Sequence, residues 1–185
     1  MNHGPLVFDY APPDANRTLF LDRDGVLNEA VLRDGGEISS PRVLSELVLS
    51  QDLMDQKTAA AFSGWNLVIL TNQPDLERRR TGTELISEIN DQIRRYLPLN
   101  LVLVCPHTGA SGCNCRKPAT AMYDYFVKRF PNCTQSSAYI GDRETDYHFA
   151  RNLKIPFFLR RRHYNQHLQT DSPVIDHLAQ IADFL

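Results

Sequence analysis

Two carboxylates end an apolar segment near the start of the chain. Residues 20–28 read Phe-Leu-Asp-Arg-Asp-Gly-Val-Leu-Asn, so Asp22 and Asp24 are separated by one residue and followed by a glycine. The apolar residues 19–21 predict a buried strand, and ligands of open α/β sheets bind at the carboxyl ends of strands. Two acids so close repel each other unless a cation lies between them, and oxygen ligands suit Mg²⁺. The pattern is typical of phosphoryl transfer, and its structural alternative is a polar turn.

Polar groups also follow three other predicted strands. Each has a structural alternative, namely a helix cap, a solvated basic pair and an acidic helix start that suits the helix dipole. Because the carboxyl ends of parallel strands meet at one edge of a sheet, four such groups together favour a single site. The three groups are Thr71-Asn72-Gln73, Arg116-Lys117-Pro118 and Gly141-Asp142-Arg143-Glu144-Thr145-Asp146.

Three of the four cysteines are clustered with a histidine. Cys105, His107, Cys113 and Cys115 lie close together in the sequence, and Cys133 lies apart from them. In a reducing compartment such clustering favours metal binding over disulfides. Three thiolates and one imidazole suit tetrahedral Zn²⁺, and four protein ligands leave no position for a reactive water. We therefore expect a structural zinc site, with a loop of reduced cysteines as the alternative.

Composition and length describe an ordinary globular chain. It has 185 residues, of which 42% are hydrophobic and 23% charged, with a formal net charge of −2. This charge balance does not favour the binding of nucleic acid or of an acidic membrane surface. No apolar run is long enough to span a bilayer. Residues 1–16 lack the pattern of a signal peptide. We expect an N-terminal extension over residues 1–16, one domain over residues 17–185, a cytoplasmic location and a monomer or weak oligomer.

Apolar strands alternate with amphipathic helices, which predicts an α/β fold with a central parallel sheet covered by helices on both faces. No segment is long enough for a large cap domain. Strands are predicted over residues 18–21, 66–70, 99–104, 137–140 and 155–159. Helices are predicted over residues 51–63, 83–96, 120–130, 144–153 and 174–185.

These polar groups resemble the haloacid dehalogenase (HAD) superfamily of phosphohydrolases. Its signature is Asp-x-Asp-Gly, then a Ser or Thr, then a Lys, then Gly-Asp with a further Asp. The resemblance covers residues 18 to about 159 and is strongest to the small-cap branch that contains histidinol-phosphate phosphatase and D,D-heptose 1,7-bisphosphate phosphatase. That branch shows Asp-Arg-Asp-Gly-x-x-Asn, Thr-Asn-Gln, Cys-x-Cys-Arg-Lys-Pro and Gly-Asp-Arg-x-Thr-Asp, all present here. The resemblance implies a three-layer Rossmann-like fold in which a zinc-bearing loop takes the place of a large cap.

The resemblance also implies roles for the catalytic residues. Asp22 would be the nucleophile that forms an aspartyl-phosphate, and Asp24 would protonate the leaving group and then activate water. Thr71 would hold phosphoryl oxygens, and Lys117 would neutralise the charge that grows on them.

The acidic pair after the fourth strand completes the predicted magnesium site. Asp142 would bind Mg²⁺ together with the carboxylate of Asp22 and the backbone carbonyl of Asp24. Asp146, four residues later on the same helical face, would orient Lys117 or an ion-bound water.

Substrate contacts are predicted at the mouth of the same site. Arg116 is a candidate for binding a second phosphate or sugar hydroxyls, and Asn72 and Arg143 are further candidates. The chain departs from the branch at residues 74–80, Pro-Asp-Leu-Glu-Arg-Arg-Arg, where Ser-Gly-Ile and a later Arg-Gly are usual. For both arginine triplets, residues 78–80 and 160–162, a solvated basic surface is our default interpretation.

We therefore expect a Mg²⁺-dependent phosphatase that acts on a small phosphorylated metabolite, of the D-glycero-D-manno-heptose 1,7-bisphosphate type, with no membrane partner. Histidinol-phosphate phosphatase is the alternative. A DNA 3′-phosphatase also uses Thr-Asn-Gln, but the net charge of −2 argues against a groove that binds nucleic acid. A noncatalytic zinc-stapled binding module is the other remote alternative.

Overall fold

A seven-stranded sheet forms the centre of the structure, a computed structural model that describes residues 4–185. Its spatial order is β1-β6-β5-β2-β7-β8-β9, and all neighbours pair in parallel except β1, which is antiparallel to β6. A separate antiparallel hairpin is formed by β3 and β4. The strands are β1 (Leu6–Asp9), β2 (Arg17–Leu21), β3 (Val31–Leu32), β4 (Ile38–Ser39), β5 (Asn66–Asn72), β6 (Leu99–Cys105), β7 (Ser136–Gly141), β8 (Phe157–Arg160) and β9 (Val174–Ile175).

Helices cover both faces of the sheet, as the alternation of elements predicts. They are α1 (Gln56–Ala61), α2 (Thr83–Arg94), α3 (Ala121–Arg129) and α4 (Glu144–Leu153). Successive strand residues point to opposite faces, so Leu19 and Leu21 pack with α2 while Phe20 packs with α3 and α4. Since both faces are buried, the central strands carry long apolar runs, as in β6, in which every residue is buried and only Asn100 is polar. The predicted three-layer α/β fold is confirmed.

The sheet is mixed, because β1 adds an antiparallel edge that the sequence analysis did not predict. Residues 6–9 pair with β6 in the register Leu6 to Val104 through Asp9 to Leu101. Part of the predicted N-terminal extension, residues 1–16, therefore packs against the sheet. This strand has only half-buried apolar residues, so it lacks the strong apolar signal of the central strands.

The predicted helix over residues 174–185 is wrong at its start. Val174 and Ile175 form β9, which pairs in parallel with β8, and a 3₁₀ helix follows over Leu178–Asp183. Both β-branched residues suit a strand, and Ile175 is fully buried there. The predicted helix over residues 51–63 is divided into a 3₁₀ helix, Gln51–Met54, and α1. Asp55 ends the first piece and caps the second by accepting a hydrogen bond from the backbone N–H of Lys57.

The topology brings the polar strand ends to one edge of the sheet. Asp22 directly follows β2, Thr71 and Asn72 end β5, and Asp142 directly follows β7. The β3–β4 hairpin lies at the same edge, since Ile38 and Ser39 share a cavity with Asp22. Among residues 4–185, no helix has the length and apolar character needed to cross a bilayer.

Phe20→Ala tests the packing at the centre of the sheet. Phe20 is fully buried, and its ring centroid lies 5.2 Å from that of Tyr123 and 5.3 Å from that of Phe126. The free energy of unfolding should fall by about 3–5 kcal/mol, because removal of a buried ring leaves a cavity. Urea denaturation measures the loss. Phe184→Ala, at a ring that is 52% exposed, should cost much less, and equal losses would contradict this account of the core.

Candidate active site and metal centres

A cavity of about 400 Å³ opens at the carboxyl edge of the sheet. Its walls come from the strand ends, the β3–β4 hairpin and the segment before α3. The residues that line it are Asp22, Asp24, Glu37, Ile38, Ser39, Ser40, Thr71, Asn72, Pro74, Asp75, Arg78, Arg116, Lys117, Arg143, Glu144 and Thr145.

Asp22 lies at the floor of this cavity and is 6% exposed. Its Oδ1 accepts a hydrogen bond from the backbone N–H of Arg23 at 2.8 Å and lies 2.9 Å from the Nζ of Lys117. Burial raises the pKa of Asp22 to about 6 against the opposing charge of Lys117, and the nearby carboxylates add to the rise. A cation would therefore stabilise the ionised carboxylate that a nucleophile requires.

Lys117 is buried between two carboxylates. Its Nζ lies 2.9 Å from Asp22 and 2.7 Å from Oδ1 of Asp146, and it donates a hydrogen bond to the hydroxyl of Tyr139 at 2.7 Å. Burial opposes the charge, but Asp146 and Asp22 outweigh it and raise the pKa of Lys117. The ammonium is thus fixed as a cation that faces Asp22.

Asn72 fixes the backbone that carries this lysine. Its Oδ1 accepts from the N–H of Lys117 at 3.0 Å, and its Nδ2 donates to the carbonyl of Lys117 at 3.2 Å. Both ends of the amide are used, although Asn72 also lines the cavity. The contact that the structure shows for this predicted substrate-binding residue is therefore with Lys117.

Asp24 accepts hydrogen bonds on both oxygens. Nη2 of Arg23 lies 3.1 and 3.0 Å from the two oxygens, Asn28 donates to Oδ1 at 2.9 Å, and Gln73 donates to Oδ2 at 2.6 Å. Ser40, just beyond the hairpin, also donates to Oδ2 at 2.9 Å. Burial alone would raise the pKa of Asp24, but Arg23 and these hydrogen bonds outweigh it and lower the pKa. Asp24 is held as a carboxylate.

Sequence reasoning gave no role to these four partners of Asp24. Arg23 and Asn28 belong to the motif Asp-Arg-Asp-Gly-x-x-Asn, and Gln73 belongs to Thr-Asn-Gln, so the motifs themselves are the sequence signal for these three residues. Ser40 had no local signal, because the fold alone brings it to Asp24.

Asp142 offers a free oxygen to the same site. It is fully buried, and oxygens of Asp22, Asp142 and Asp146 lie within 4.8 Å of one another. Tyr164 donates a hydrogen bond to Oδ2 of Asp142, while Oδ1 has no hydrogen-bond partner within residues 4–185. Burial, with Asp22 and Asp146 adding, raises the pKa of Asp142 to about 8.

Magnesium fits this set of donors. When all three carboxylates are ionised, they and the ammonium of Lys117 carry two net negative charges in a buried space, which one divalent cation would neutralise. The orphaned oxygen of Asp142 and the carboxylate of Asp22 are hard oxygen ligands of the kind that Mg²⁺ prefers.

Asp146 has its oxygens occupied by protein donors. Oδ1 contacts Lys117 and accepts from the hydroxyl of Tyr139 at 3.1 Å. Oδ2 accepts from the backbone N–H groups of Asp142 at 3.2 Å and Arg143 at 3.1 Å. The carboxylate thus positions Lys117 and the start of α4, which leaves Asp22 and Asp142 as the better candidates for direct contact with an ion.

The cysteine cluster forms a second candidate metal centre. Sγ of Cys105 lies 3.7 Å from Sγ of Cys113 and 3.7 Å from Nδ1 of His107, and Nδ1 lies 3.3 Å from Sγ of Cys115. In a tetrahedral site with Zn–S bonds of about 2.3 Å, two sulfur ligands lie about 3.8 Å apart, close to the 3.7 Å between Cys105 and Cys113. The four side chains therefore have the chemistry and spacing of a closed zinc site.

The two other predicted substrate-binding residues face the cavity but also contact its walls. Arg116 donates from Nη1 to the carbonyl of His107 at 3.2 Å, and Arg143 donates from Nη2 to the carbonyl of Ile38 at 3.2 Å. Arg116 is thus tied to the cysteine loop and Arg143 to the hairpin. Both retain further donors for an anionic ligand.

The default interpretation of the triplet at residues 78–80 is wrong in part, since two of its arginines pair with one buried carboxylate. Asp75, 3% exposed, lies 3.2 Å from Nη1 of Arg78 and 3.7 Å from Nη1 of Arg80. Nε of Arg42 approaches the same carboxylate at 2.6 Å. The residues that depart from the branch pattern therefore build one side of the cavity.

The triplet at residues 160–162 is likewise more than a solvated surface. Arg160 is 4% exposed and forms an ion pair with Asp52 at 2.7 Å. Arg162 donates to the carbonyl of Gly25 at 2.6 Å, next to the Asp22–Asp24 pair. Arg160 thus links β8 to the 3₁₀ helix that contains Asp52, and Arg162 links the chain after β8 to the chain after β2.

Comparison with known proteins agrees with this geometry. A family model described as polynucleotide kinase 3 phosphatase matches residues 42–164, well over half of the chain. A relative from Thermoplasma volcanium, named a probable D-glycero-D-manno-heptose-1,7-bisphosphate 7-phosphatase, is 32% identical over 151 residues, which are 78% of this chain and 99% of the relative. The chain belongs to the HAD superfamily of phosphatases. The bifunctional histidine biosynthesis protein HisB of Buchnera aphidicola is 28% identical over 75% of this HAD phosphatase, which spans only 39% of that protein.

A solved structure extends the comparison to the three-dimensional fold of this HAD phosphatase. The crystal structure of D,D-heptose 1.7-bisphosphate phosphatase from B. bronchiseptica has a TM-score of 0.70 and 25% identity, and the match covers 90% of this chain and 96% of that one. That protein was crystallised in complex with magnesium and phosphate. The expected family resemblance and the expected phosphatase class are both confirmed.

The response of the HAD phosphatase to Mg²⁺ should depend on pH. Asp142, with a pKa of about 8, and Asp22, with a pKa of about 6, hold protons in the folded protein that the unfolded chain has released. Their contribution to stability therefore falls as pH rises from about 4 to about 8, and Mg²⁺ should reverse that loss. Thermal unfolding should show a larger Mg²⁺-induced rise in Tm at about pH 8 than at about pH 5.5.

Asp142→Asn tests this linkage, because it removes the group with the larger shift. The variant should show a smaller Mg²⁺-induced rise in Tm and a weaker dependence of that rise on pH. Asp183→Asn, at an exposed position, serves as the control. An Asp142→Asn variant with the same pH dependence as wild type would contradict the proposed site.

Cys113→Ser tests the zinc centre. The HAD phosphatase should contain about one zinc per chain, and loss of one of four ligands should lower both the zinc content and the Tm. Elemental analysis and thermal unfolding measure the two effects. Cys133→Ser lies outside the cluster and should keep the metal. If removal of zinc from the wild-type protein left its Tm unchanged, the assignment would be refuted.

Proposed function

We propose that this HAD phosphatase hydrolyses the phosphomonoester of a small sugar phosphate of the D-glycero-D-manno-heptose 1,7-bisphosphate type. The observation that carries the proposal is the placement of Asp22 at the floor of a cavity, against the ammonium of Lys117 and beside the free oxygen of Asp142. The Thermoplasma volcanium relative, matched over 99% of its length, supports the substrate class.

In the proposed reaction Asp22 attacks phosphorus. Its Oδ1 is held by Lys117 and by a backbone N–H, so Oδ2 is the oxygen that we assign to the attack. A bond forms between Oδ2 and phosphorus as the bond to the leaving alkoxide breaks, which gives an aspartyl-phosphate. Water then attacks that phosphorus, the bond to Oδ2 breaks and free phosphate leaves.

Asp24 is the group that we assign to proton transfer in both steps. Its lowered pKa suits the second step, in which a carboxylate removes a proton from the attacking water. In the first step the leaving alkoxide must receive a proton. A phosphate monoester, with a second pKa of about 6, can bring that proton as its monoanion, and Asp24 can pass it on.

The remaining groups hold the phosphoryl oxygens. Thr71 lines the cavity, and its hydroxyl accepts a hydrogen bond from Gln73 at 2.8 Å, so we assign the proton of that hydroxyl to a hydrogen bond with the substrate. Lys117 neutralises charge on the same oxygens. Magnesium, held by Asp22, Asp142 and the carbonyl of Asp24, would supply further charge neutralisation in the transition state.

The size of the cavity and the arginines that line it favour a small and anionic substrate. Arg116, Arg143 and Arg78 line it beside Lys117, and the volume of about 400 Å³ is at the lower end of the range for ligand sites. In our proposal Arg116 and Arg143 bind the second phosphate or the sugar hydroxyls. In this proposal the cysteine loop stands in for a large cap, as the family resemblance implies.

Asp22→Asn tests the proposed reaction. The substitution keeps the size of the side chain but removes the nucleophile, so kcat/KM on a sugar phosphate should fall about a thousandfold or more. The Asp183→Asn control should keep wild-type activity. A phosphatase activity that survives in Asp22→Asn would show that another residue attacks phosphorus.

A substrate panel tests the proposed specificity. It should compare kcat/KM for heptose 1,7-bisphosphate, other sugar phosphates, histidinol phosphate and a 3′-phosphorylated oligonucleotide. We expect the highest value for a sugar phosphate. The oligonucleotide is included because the matching family model is described as a polynucleotide kinase 3 phosphatase. A preference for it or for histidinol phosphate would overturn the sugar-phosphate assignment.

A further inference from the structure

The segment over residues 162–165 contacts both halves of the proposed magnesium site. Arg162 donates from Nε to the carbonyl of Gly25 at 2.6 Å, directly after the Asp22–Asp24 pair. Asn165 donates from Nδ2 to the backbone carbonyl of Asp142 at 2.7 Å. This segment therefore links the chain after β2 to the chain after β7.

The segment is itself firmly held. Asn165 is 2% exposed, donates to the carbonyl of Arg160 at 2.8 Å and accepts from the N–H of Arg162 at 2.8 Å. Arg162 also donates to the hydroxyl of Ser50 at 2.7 Å and forms an ion pair with Glu29 at 3.1 Å. These contacts fix where the side chain of Tyr164 points.

Tyr164, Gly25 and Asp142 meet at one point. Gly25 has φ of +92°, and a Cβ there would overlap both the carboxylate of Asp142 and the hydroxyl of Tyr164. The glycine thus gives the space in which the tyrosine hydroxyl reaches the carboxylate. The hydroxyl donates to Oδ2 of Asp142 and leaves Oδ1 without a partner among the described residues.

We propose that Tyr164 is a positioning residue that fixes the rotation of the Asp142 carboxylate so that Oδ1 faces Mg²⁺, with Arg162 and Asn165 holding the backbones on either side. The inference rests on the proposed function, since it assigns Tyr164 to the same magnesium site. Tyr164 does not line the cavity, so its effect must pass through Asp142. A hydrogen bond to the second oxygen of a ligating carboxylate is a common way to orient it.

The removal of this one hydroxyl should weaken Mg²⁺ binding. Loss of such an outer partner typically costs about 10- to 100-fold in metal affinity. We therefore expect Tyr164→Phe to raise the Mg²⁺ dissociation constant about tenfold. At saturating Mg²⁺ the variant should recover most of the wild-type kcat, because Asp22, Asp24 and Lys117 are unchanged.

The experiment measures Mg²⁺ affinity directly, by isothermal titration calorimetry and by the rise in Tm on titration with Mg²⁺. Tyr147→Phe is the matched control, since its hydroxyl pairs with Asp171 in an exposed hydrogen bond away from the site. Arg162→Lys is a second variant that keeps the charge but loses the fork that reaches Gly25 and Ser50. It should weaken Mg²⁺ binding in the same direction.

Each outcome decides the inference. A weaker Mg²⁺ affinity in Tyr164→Phe and Arg162→Lys, with Tyr147→Phe unchanged, supports it. A lower Tm at every Mg²⁺ concentration with an unchanged dissociation constant would show a merely structural role, and a wild-type protein that binds no Mg²⁺ would overturn the inference outright. If the affinity shift is found but no sugar phosphate is hydrolysed, the positioning role stands and the proposed substrate falls.

Discussion

The structure depends on the confinement of three carboxylates and one ammonium in a buried space at the end of the parallel sheet. Asp22 and Asp146 contact Lys117, Asp142 lies close to both carboxylates, and none of the four is more than 6% exposed. Such an arrangement is costly, because burial disfavours charge and like charges repel. It persists because the surrounding backbones and side chains are fixed by many hydrogen bonds. The cost of burying these like charges is seen in the raised pKa values of Asp22 and Asp142.

The two neighbouring aspartates of the motif illustrate how environment divides their chemistry. Asp22 faces Lys117 and other acids, and its pKa is raised to about 6. Asp24 lies one residue further on, is paired with Arg23 and accepts several hydrogen bonds, and its pKa is lowered. One carboxylate is therefore poised to be ionised by a cation and the other is already a base. This division is what a nucleophile and a proton-transfer group require of two otherwise identical side chains.

Much of the site could be predicted from the sequence because parallel strands bring their carboxyl ends to one edge. Asp22, Thr71 and Asp142 each follow an apolar run, and the fold brings them to the same edge of the sheet. The fold likewise brings the three clustered cysteines and His107 together. The features that the sequence analysis does not predict depend on contacts between residues far apart in the sequence. The strand β9 forms only because Val174 lies beside Leu159, and Tyr164 reaches Asp142 only because the chain turns back after β8.

The hairpin formed by β3 and β4 links one wall of the cavity to the hydrogen bonding of Asp24. Ser40, at its end, donates to Asp24, and the carbonyl of Ile38 holds Arg143. A molecule too bulky for the cavity would have to push the hairpin outward and break both contacts. Asp24 would then lack the hydrogen bond from Ser40, and Arg143 would lack its hydrogen bond to the carbonyl of Ile38. In the proposed reaction, a phosphate ester too large for the cavity of about 400 Å³ would therefore be disfavoured twice, by its poor fit and by the loss of these two contacts.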